Sequence, residues 1–309
     1  MSPLPLYTHP LYTDGIHPQA RFPRERYHMI TSRLASLSSA QLELRTAPAA
    51  TPEELESVHD AAYVRRFVSG EMSDKERRKI GLRPWTPLLI PRTMHIAGGA
   101  LAALGDALAS GGFAANLAGG THHAHYDWGA GFCVFNDLAL CAQRALRAGH
   151  VQRLAVLDLD VHQGDGTATL LAQTPEAYTC SVHCEGNFPF HKEESDLDLP
   201  LPVGAGDEAY IDAVYQALGA VSLAQPELLL FQAGVDALET DALGRLSVSQ
   251  EGMRARNELV LSFCVERGIP CVIFMGGGYS KPIEESVSAF ASLFSQAALA
   301  HQRVIVPQS

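Results

Sequence analysis

The sequence predicts an α/β chain built on one parallel sheet with helices on both faces. Three observations carry that expectation. Short apolar runs of strand length alternate along the chain with amphipathic or Ala/Leu-rich stretches of crossover length. The runs are almost continuously hydrophobic, as in Arg153–Leu157 and Leu228–Gln232, which suits strands covered on both faces. Four of these runs end in glycine turns or clustered reactive side chains, and ligands of open α/β sheets bind at the carboxyl ends of strands.

In order, Leu4–Thr8 reads as the first strand and His9–Pro23 as a loop. Arg24–Ser38 is helical in composition, and Leu42–Arg45 is a short strand. Thr51-Pro52-Glu53-Glu54 has the form of a helix N-cap with Pro in the first turn, and Ser57–Val68 gives a second helical piece. Gly70–Pro91, half charged and half Pro/Trp, reads as a long surface loop. Arg92–Ala109 is a helix stopped by Gly111-Gly112, Phe113–Leu117 a strand, and Ala118–Phe135 a Gly/His/aromatic loop. Asn136-Asp137 caps a helix to Ala148. Then come strand Arg153–Asp160, helix Asp165–Gln173, strand Ala177–Val182 and loop Cys184–Asp198. Helix Asp207–Leu223, strand Glu227–Gln232, loop Ala233–Leu246, helix Ser249–Arg267, strand Pro270–Met275 and helix Pro282–Ala300 complete the chain. No repeat or low-complexity linker divides residues 1–309, so a single domain is expected.

Composition narrows the function. A 309-residue chain that is 47% hydrophobic can bury a large core. The net charge of -11, with no basic block, gives no support to nucleic-acid binding and suits cationic partners or none. Six cysteines without a CxxC pair read as reduced core thiols of a cytoplasmic protein. Met1–Pro10 lacks the apolar core of a signal peptide, and no apolar run is long enough for a membrane span.

The chemistry concentrates at Asp158-Leu159-Asp160-Val161-His162-Gln163-Gly164-Asp165-Gly166. If the strand runs to Asp160, Asp158 and Asp160 share one face, where two buried carboxylates need a cation or hydrogen bonds. Asp160 and His162, with Asp236 after a later strand, supply three metal ligands and leave positions open, the arrangement of a catalytic site. His122-His123 can provide a general base and acid, and Asp158 and Asp165 are available to orient them. Tyr279, after Gly276-Gly277-Gly278, has a hydroxyl suited to an oxyanion. GxSxG and P-loop motifs are absent, and no GxGxxG follows the first strand. The inventory points to amide hydrolysis.

Gly119-Gly120-Thr121-His122-His123-Ala124, Gly129-Ala130-Gly131-Phe132-Cys133, Asn136-Asp137, the Asp158–Gly166 cluster and Gly276-Gly277-Gly278-Tyr279 resemble the zinc-dependent histone deacetylase family, over nearly the whole chain. The stretches Asp236–Ser247 and Gly278-Tyr279-Ser280-Lys281 look most like its class IV branch. The resemblance implies a three-layer arginase/deacetylase-like fold and Zn²⁺ on Asp160, His162 and Asp236, a site that Fe²⁺ can also occupy. It implies His123 as general base backed by Asp165, His122 backed by Asp158, and Tyr279 as the transition-state tyrosine. Phe132 and Phe188 would wall an acyl tunnel with Leu243 at its rim, and Gly131, Gly277 and Gly278 would line the substrate. A structural K⁺ would sit on Asp158, Asp160, His162, Ser181 and Val182.

The implied reaction is removal of acetyl and longer fatty acyl groups from Nε-acyl-lysine, or from a similar acylated amine. Two departures stand out. The family's substrate-gripping rim acid has no counterpart in residues 77–90, and Gln163 replaces a His common in other branches. Competing readings are an acetylpolyamine amidohydrolase, a binuclear ureohydrolase-like enzyme and a noncatalytic acyl-lysine binding module. The sequence leaves the oligomeric state open.

Overall fold

The computed structural model describes residues 2–36 and 41–305. It opens with β1 (Leu4–Thr8), α1 (Leu11–Asp14), α2 (Glu25–Ala35), β2 (Leu42–Thr46), α3 (Pro52–Glu56), α4 (Ala61–Val68) and α5 (Asp74–Ile80). Next come α6 (Leu89–Ser110), β3 (Phe113–Asn116), α7 (Asp137–Arg147), β4 (Leu154–Asp158), α8 (Asp165–Leu171), β5 (Ala177–Cys184) and β6 (Leu197–Leu201). It closes with α9 (Asp207–Ala224), β7 (Leu229–Gln232), α10 (Gln250–Arg267), β8 (Cys271–Phe274) and α11 (Glu284–Ile305).

Among the described residues the eight strands form one sheet in the order β2-β1-β3-β8-β7-β4-β5-β6, and every pairing is parallel. The central strands β3, β4, β7 and β8 are buried along their whole length, because helices cover both faces. α6, α7 and α8 form one layer; α2, α11, α10 and α9 pack side by side as the other. The expected fold class therefore holds. From β4 the chain steps outward to β5 and β6, then returns inward to β7. The sheet order thus reverses beside β4 and β7, and a crevice opens there at their carboxyl ends.

Four local expectations change. The segment Gly70–Pro91 contains α5, started by a capping box between Ser73 and Glu76. The helix Ser57–Val68 begins only at Ala61, because Asp60 accepts a hydrogen bond from the Tyr63 N–H and caps it. The loop Cys184–Asp198 shrinks, since β5 runs on to Cys184 and Leu197–Leu201 pairs with it as an edge strand. The helix Arg24–Ser38 ends at Ala35; Leu37 and Ser38 lie outside the described residues. Elsewhere the ends move by a few residues, and the chain turns helically at Leu11–Asp14 within the expected loop. All six cysteines are buried and free. Among the described residues no helix is long and apolar enough to cross a membrane.

One buried histidine couples this framework to pH. His59 Nε2 accepts the Asn136 N–H at 2.9 Å, while Nδ1 lies 2.9 Å from the His125 carbonyl and donates to it. Only the neutral ring can do both. Burial lowers its pKa from 6.5 to about 4. The unfolded chain therefore takes up a proton between those values and the folded chain does not, so stability falls as pH drops through that window. At pH 5 this site alone costs about 2 kcal/mol relative to pH 7.5. Urea midpoints of wild type and His59→Gln at the two pH values measure it: the variant should lose correspondingly less on acidification.

Candidate active site

β4 ends at Asp158, so strand alternation does not extend to Asp160 as expected. Asp160 comes round on a turn instead, and its N–H donates to Asp158 Oδ1 at 3.1 Å. The two carboxylates consequently face different partners. Asp158 Oδ2 accepts from His122 Nδ1 at 2.7 Å. Asp160 Oδ1 accepts from the N–H and Nδ1 of His162, both at 3.0 Å, and Oδ2 accepts the Gly277 N–H at 2.8 Å. Asp236, after β7, completes the cluster: Oδ1 accepts the Val161 N–H at 2.9 Å and Oδ2 lies 3.1 Å from His162 Nδ1.

One ligand atom from each of Asp160, His162 and Asp236 lies within 4.8 Å of the others. The residues fit a divalent metal: two buried carboxylates and a partly buried imidazole converge at the floor of a cavity. Gly277 makes the approach possible, because a Cβ there would collide with Asp236 and stand 2.9 Å from Asp160 Oδ2. The electrostatics agree. With no cation present, burial and the neighbouring Asp160 push Asp236 up to about 7. Burial alone would lower His162, but Asp160 and Asp236 lift it to about 10. A proton thus takes up the negative charge that a metal would otherwise balance.

Beside this cluster stand the two tandem imidazoles, ring centroids 4.0 Å apart. A carboxylate only accepts, so each donates its Nδ1–H, His122 to Asp158 and His123 to Asp165 at 2.6 Å; His122 Nε2 lies 3.8 Å from Asp160 Oδ1, and His123 Nε2 is left free. Their environments drive them apart. Burial would lower His122, but Asp158 and Asp160 raise it to about 9. Burial, helped by the charge on His122, takes His123 down to about 3 against the pull of Asp165. One ring is a proton holder and its neighbour a free base, the separation that acid and base roles require.

The cluster and both imidazoles line a cavity of ≈ 300 Å³. Phe188 packs edge-on to His123 at 4.8 Å, and Phe132 lies 5.9 Å from Tyr279. Leu243 stands at the mouth, 38% exposed. Gly131 and Gly277 also line this space. Gly278 does not: it backs onto Val235 and Phe290, because its carbonyl is turned to receive the Arg26 guanidinium at 2.8 Å. The β4–β5 register sets Asp158 opposite Ser181, with Val182 next along the strand. The Ser181 hydroxyl lies 3.0 Å from His183 Nδ1.

Several residues take positioning roles that the sequence did not assign: Asp137 and Asp241 stood there only within longer motifs, and Asn187 and Phe22 had no signal. Asp137 gathers the N–H groups of Gly120 and Thr121 at 3.0 and 2.8 Å and so anchors the loop that presents His122. Asn187 spans two loops, donating to the Leu243 carbonyl and accepting the Arg245 N–H. Asp241 takes the N–H groups of Tyr279, Leu243 and Gly244. Phe22, from the first long loop, packs edge-on to both Phe132 and Tyr279. α5 braces the wall, since the Ile80 carbonyl accepts the Phe132 N–H. The acids of that segment are absent from the cavity: Glu76 bonds Ser73 and Arg66, and Glu71 bonds Ser69.

A parallel α/β sheet with this buried triad and histidine pair at its switch point has the architecture of a metal-dependent amide hydrolase. The histone deacetylase domain model matches residues 20–294, and the chain belongs to that family, whose members are zinc-dependent deacetylase hydrolases. It is 39% identical over 285 residues to an uncharacterised protein of Picosynechococcus sp., covering 92% of this chain and 94% of the relative. It is 33% identical over 262 residues to a histone deacetylase-like amidohydrolase of Pseudomonas aeruginosa, covering 79% and 68%. The fold is shared with an acetylpolyamine aminohydrolase from Burkholderia pseudomallei at a TM-score of 0.79 and 22% identity, covering 97% and 99%.

Proposed function

We propose that residues 1–309 form one catalytic domain that hydrolyses Nε-acyl-lysine, releasing acetyl and longer fatty acyl groups, with Zn²⁺ held by Asp160, His162 and Asp236. The observation that carries this reading is the convergence of two buried carboxylates and the partly buried His162 beside a free-base His123 in an aromatic-walled cavity. When bound, the metal lowers the pKa of a water and polarises the scissile carbonyl. Fe²⁺ suits the same donors, and a K⁺ on Asp158, Asp160, His162, Ser181 and Val182 would brace the turn after β4.

The chain's own residues supply the rest. Phe132 and Phe188 flank the extended lysine stem and keep bulk water away from the reacting amide. His123 Nε2 takes a proton from the attacking water while Asp165 steadies the ring. Tyr279 donates its O–H to the carbonyl oxygen as negative charge develops there. The C–N bond then breaks, and the histidine pair returns a proton to the leaving amine. The class IV likeness supports longer acyl chains, as does the extension of the cavity to Phe22, Tyr27 and Ile96.

The mouth favours lysine over polyamine substrates. Among the described residues lining the cavity, the carboxylates are Asp160 and Asp236, both in the metal cluster; beside Leu243 stand Arg245 and the Asp241 carboxylate, which is taken up by the N–H groups of Leu243, Gly244 and Tyr279. Arg245 is exposed, and its guanidinium reaches the Gly186 carbonyl at 3.3 Å. Because three N–H groups already occupy Asp241, the group that a cationic polyamine meets first there is the Arg245 guanidinium. Turnover of acetyl-lysine and myristoyl-lysine peptides by Zn²⁺-loaded protein tests the reading, and inactivity on both would sink it. Arg245→Glu should raise kcat/KM for acetylpolyamines relative to acetyl-lysine peptides about fivefold.

A further inference from the structure

Asp165 serves two imidazoles. Its Oδ1 lies 2.6 Å from His123 Nδ1 and its Oδ2 lies 3.2 Å from His125 Nε2. Among the described residues these are the carboxylate's side-chain partners. Burial would raise Asp165, but the two imidazole N–H groups hold it below the ordinary carboxylate range. An ionised carboxylate only accepts, so His125 Nε2 carries a hydrogen.

The His125 ring is itself tightly held. It is 7% exposed, its Nδ1 lies 3.0 Å from Thr169 Oγ1 on α8, and it stacks on Trp128 at 3.8 Å and 14°. The Lys79 ammonium sits 3.0 Å from the centre of the Trp128 ring, and the His125 N–H donates to the Trp128 carbonyl at 2.9 Å. A buried, oriented donor therefore faces the oxygen of Asp165 that His123 leaves free.

We propose that His125 is a positioning residue for hydrolysis, holding Asp165 so that His123 keeps its hydrogen on Nδ1 and presents a bare Nε2 to the cavity. A carboxylate with one hydrogen bond can rotate about Cβ–Cγ; two fixed donors on different oxygens stop it. The inference rests on His123 acting as base, as proposed above.

Four variants and one spectrum test it. His125→Leu keeps the volume and removes the donor; it should lower kcat about tenfold with KM little changed. His125→Gln returns an amide N–H toward Asp165 and should recover most of that loss. In an Asp165→Asn background, His125→Leu should cost little more, because the coupling runs through that carboxylate. Equal losses in the Leu and Gln variants, additive effects with Asp165→Asn, or a folded His125→Leu within twofold of wild type would each overturn the proposal. Nitrogen-15 NMR of the imidazoles in zinc-loaded wild type should show a protonated Nε2 on His125 whose resonance moves in Asp165→Asn. A bare Nε2 refutes the proposal even for a protein that turns over no acyl-lysine, so the two failures are distinguishable.

Discussion

Asp236→Asn should abolish activity and yet stabilise the metal-free protein. Both effects have one origin. Asp236 is fully buried beside Asp160, and without a cation burial and that neighbour raise it to about 7. A carboxylate whose pKa is raised on folding destabilises the fold at every pH above its unfolded value near 3.8, increasingly up to its folded value. The penalty at neutral pH is of order 4 kcal/mol, offset in part by the His162 contact at 3.1 Å that the variant also weakens. An amide removes it and can still accept the Val161 N–H that Asp236 Oδ1 accepts at 2.9 Å. The metal-free variant should therefore melt several degrees above metal-free wild type.

Zinc reverses the order. Wild type gains stability in proportion to the logarithm of free zinc over its dissociation constant, and the variant, lacking one of three ligands, gains little. Its kcat/KM on an acyl-lysine peptide falls by about 10³ or more. Melting curves with chelator and with zinc, beside metal content by mass spectrometry, measure all of this. A metal-free variant less stable than metal-free wild type would show that the cluster is a structural network rather than a site strained for a cation.

One part of the site was legible in the sequence because it is local. Asp158, Asp160 and His162 fall within five residues at the end of an apolar run, and burying so many charges together is costly unless a cation balances them. The parallel sheet was legible because its central strands are apolar on both faces. What lay hidden depends on loops that meet in space. Asn187 and Arg245 are bonded across 58 residues, and Asn187 has no distinctive neighbourhood in the chain. α5, Asp-Lys-Glu-Arg-Arg-Lys-Ile, has no apolar stripe, and only its capping box betrays it. β6, Leu-Asp-Leu-Pro-Leu, mixes an acid and a proline into an edge strand and so resembles a loop. The turn at Asp160 was hidden for a subtler reason: Leu159 is as buried as a strand residue, but β4 has already ended.

Tyr279→Phe should lower kcat between about 10² and 10³-fold while leaving KM and zinc affinity near wild type. The ring is firmly held. Its N–H donates to Asp241 Oδ2 at 2.6 Å, and the same carboxylate fixes the turn carrying Leu243. Phe22 packs edge-on to the ring at 5.8 Å, and the buried Arg26 guanidinium lies 5.3 Å from its centre while bonding the carbonyls of Gly276 and Gly278. None of these contacts uses the hydroxyl, so the phenyl ring stays in place in the variant. Burial raises the phenol well above its ordinary value, so at neutral pH it is a donor and never a phenolate. What the variant loses is one O–H aimed at charge that exists only as the amide carbonyl is attacked, and such an interaction appears in kcat rather than in substrate binding. Single-turnover rates with acetyl-lysine peptide, beside zinc titration of both proteins, separate the terms. A loss confined to KM would move Tyr279 from the reacting carbonyl to the tunnel wall, and unchanged kinetics would remove it from the mechanism.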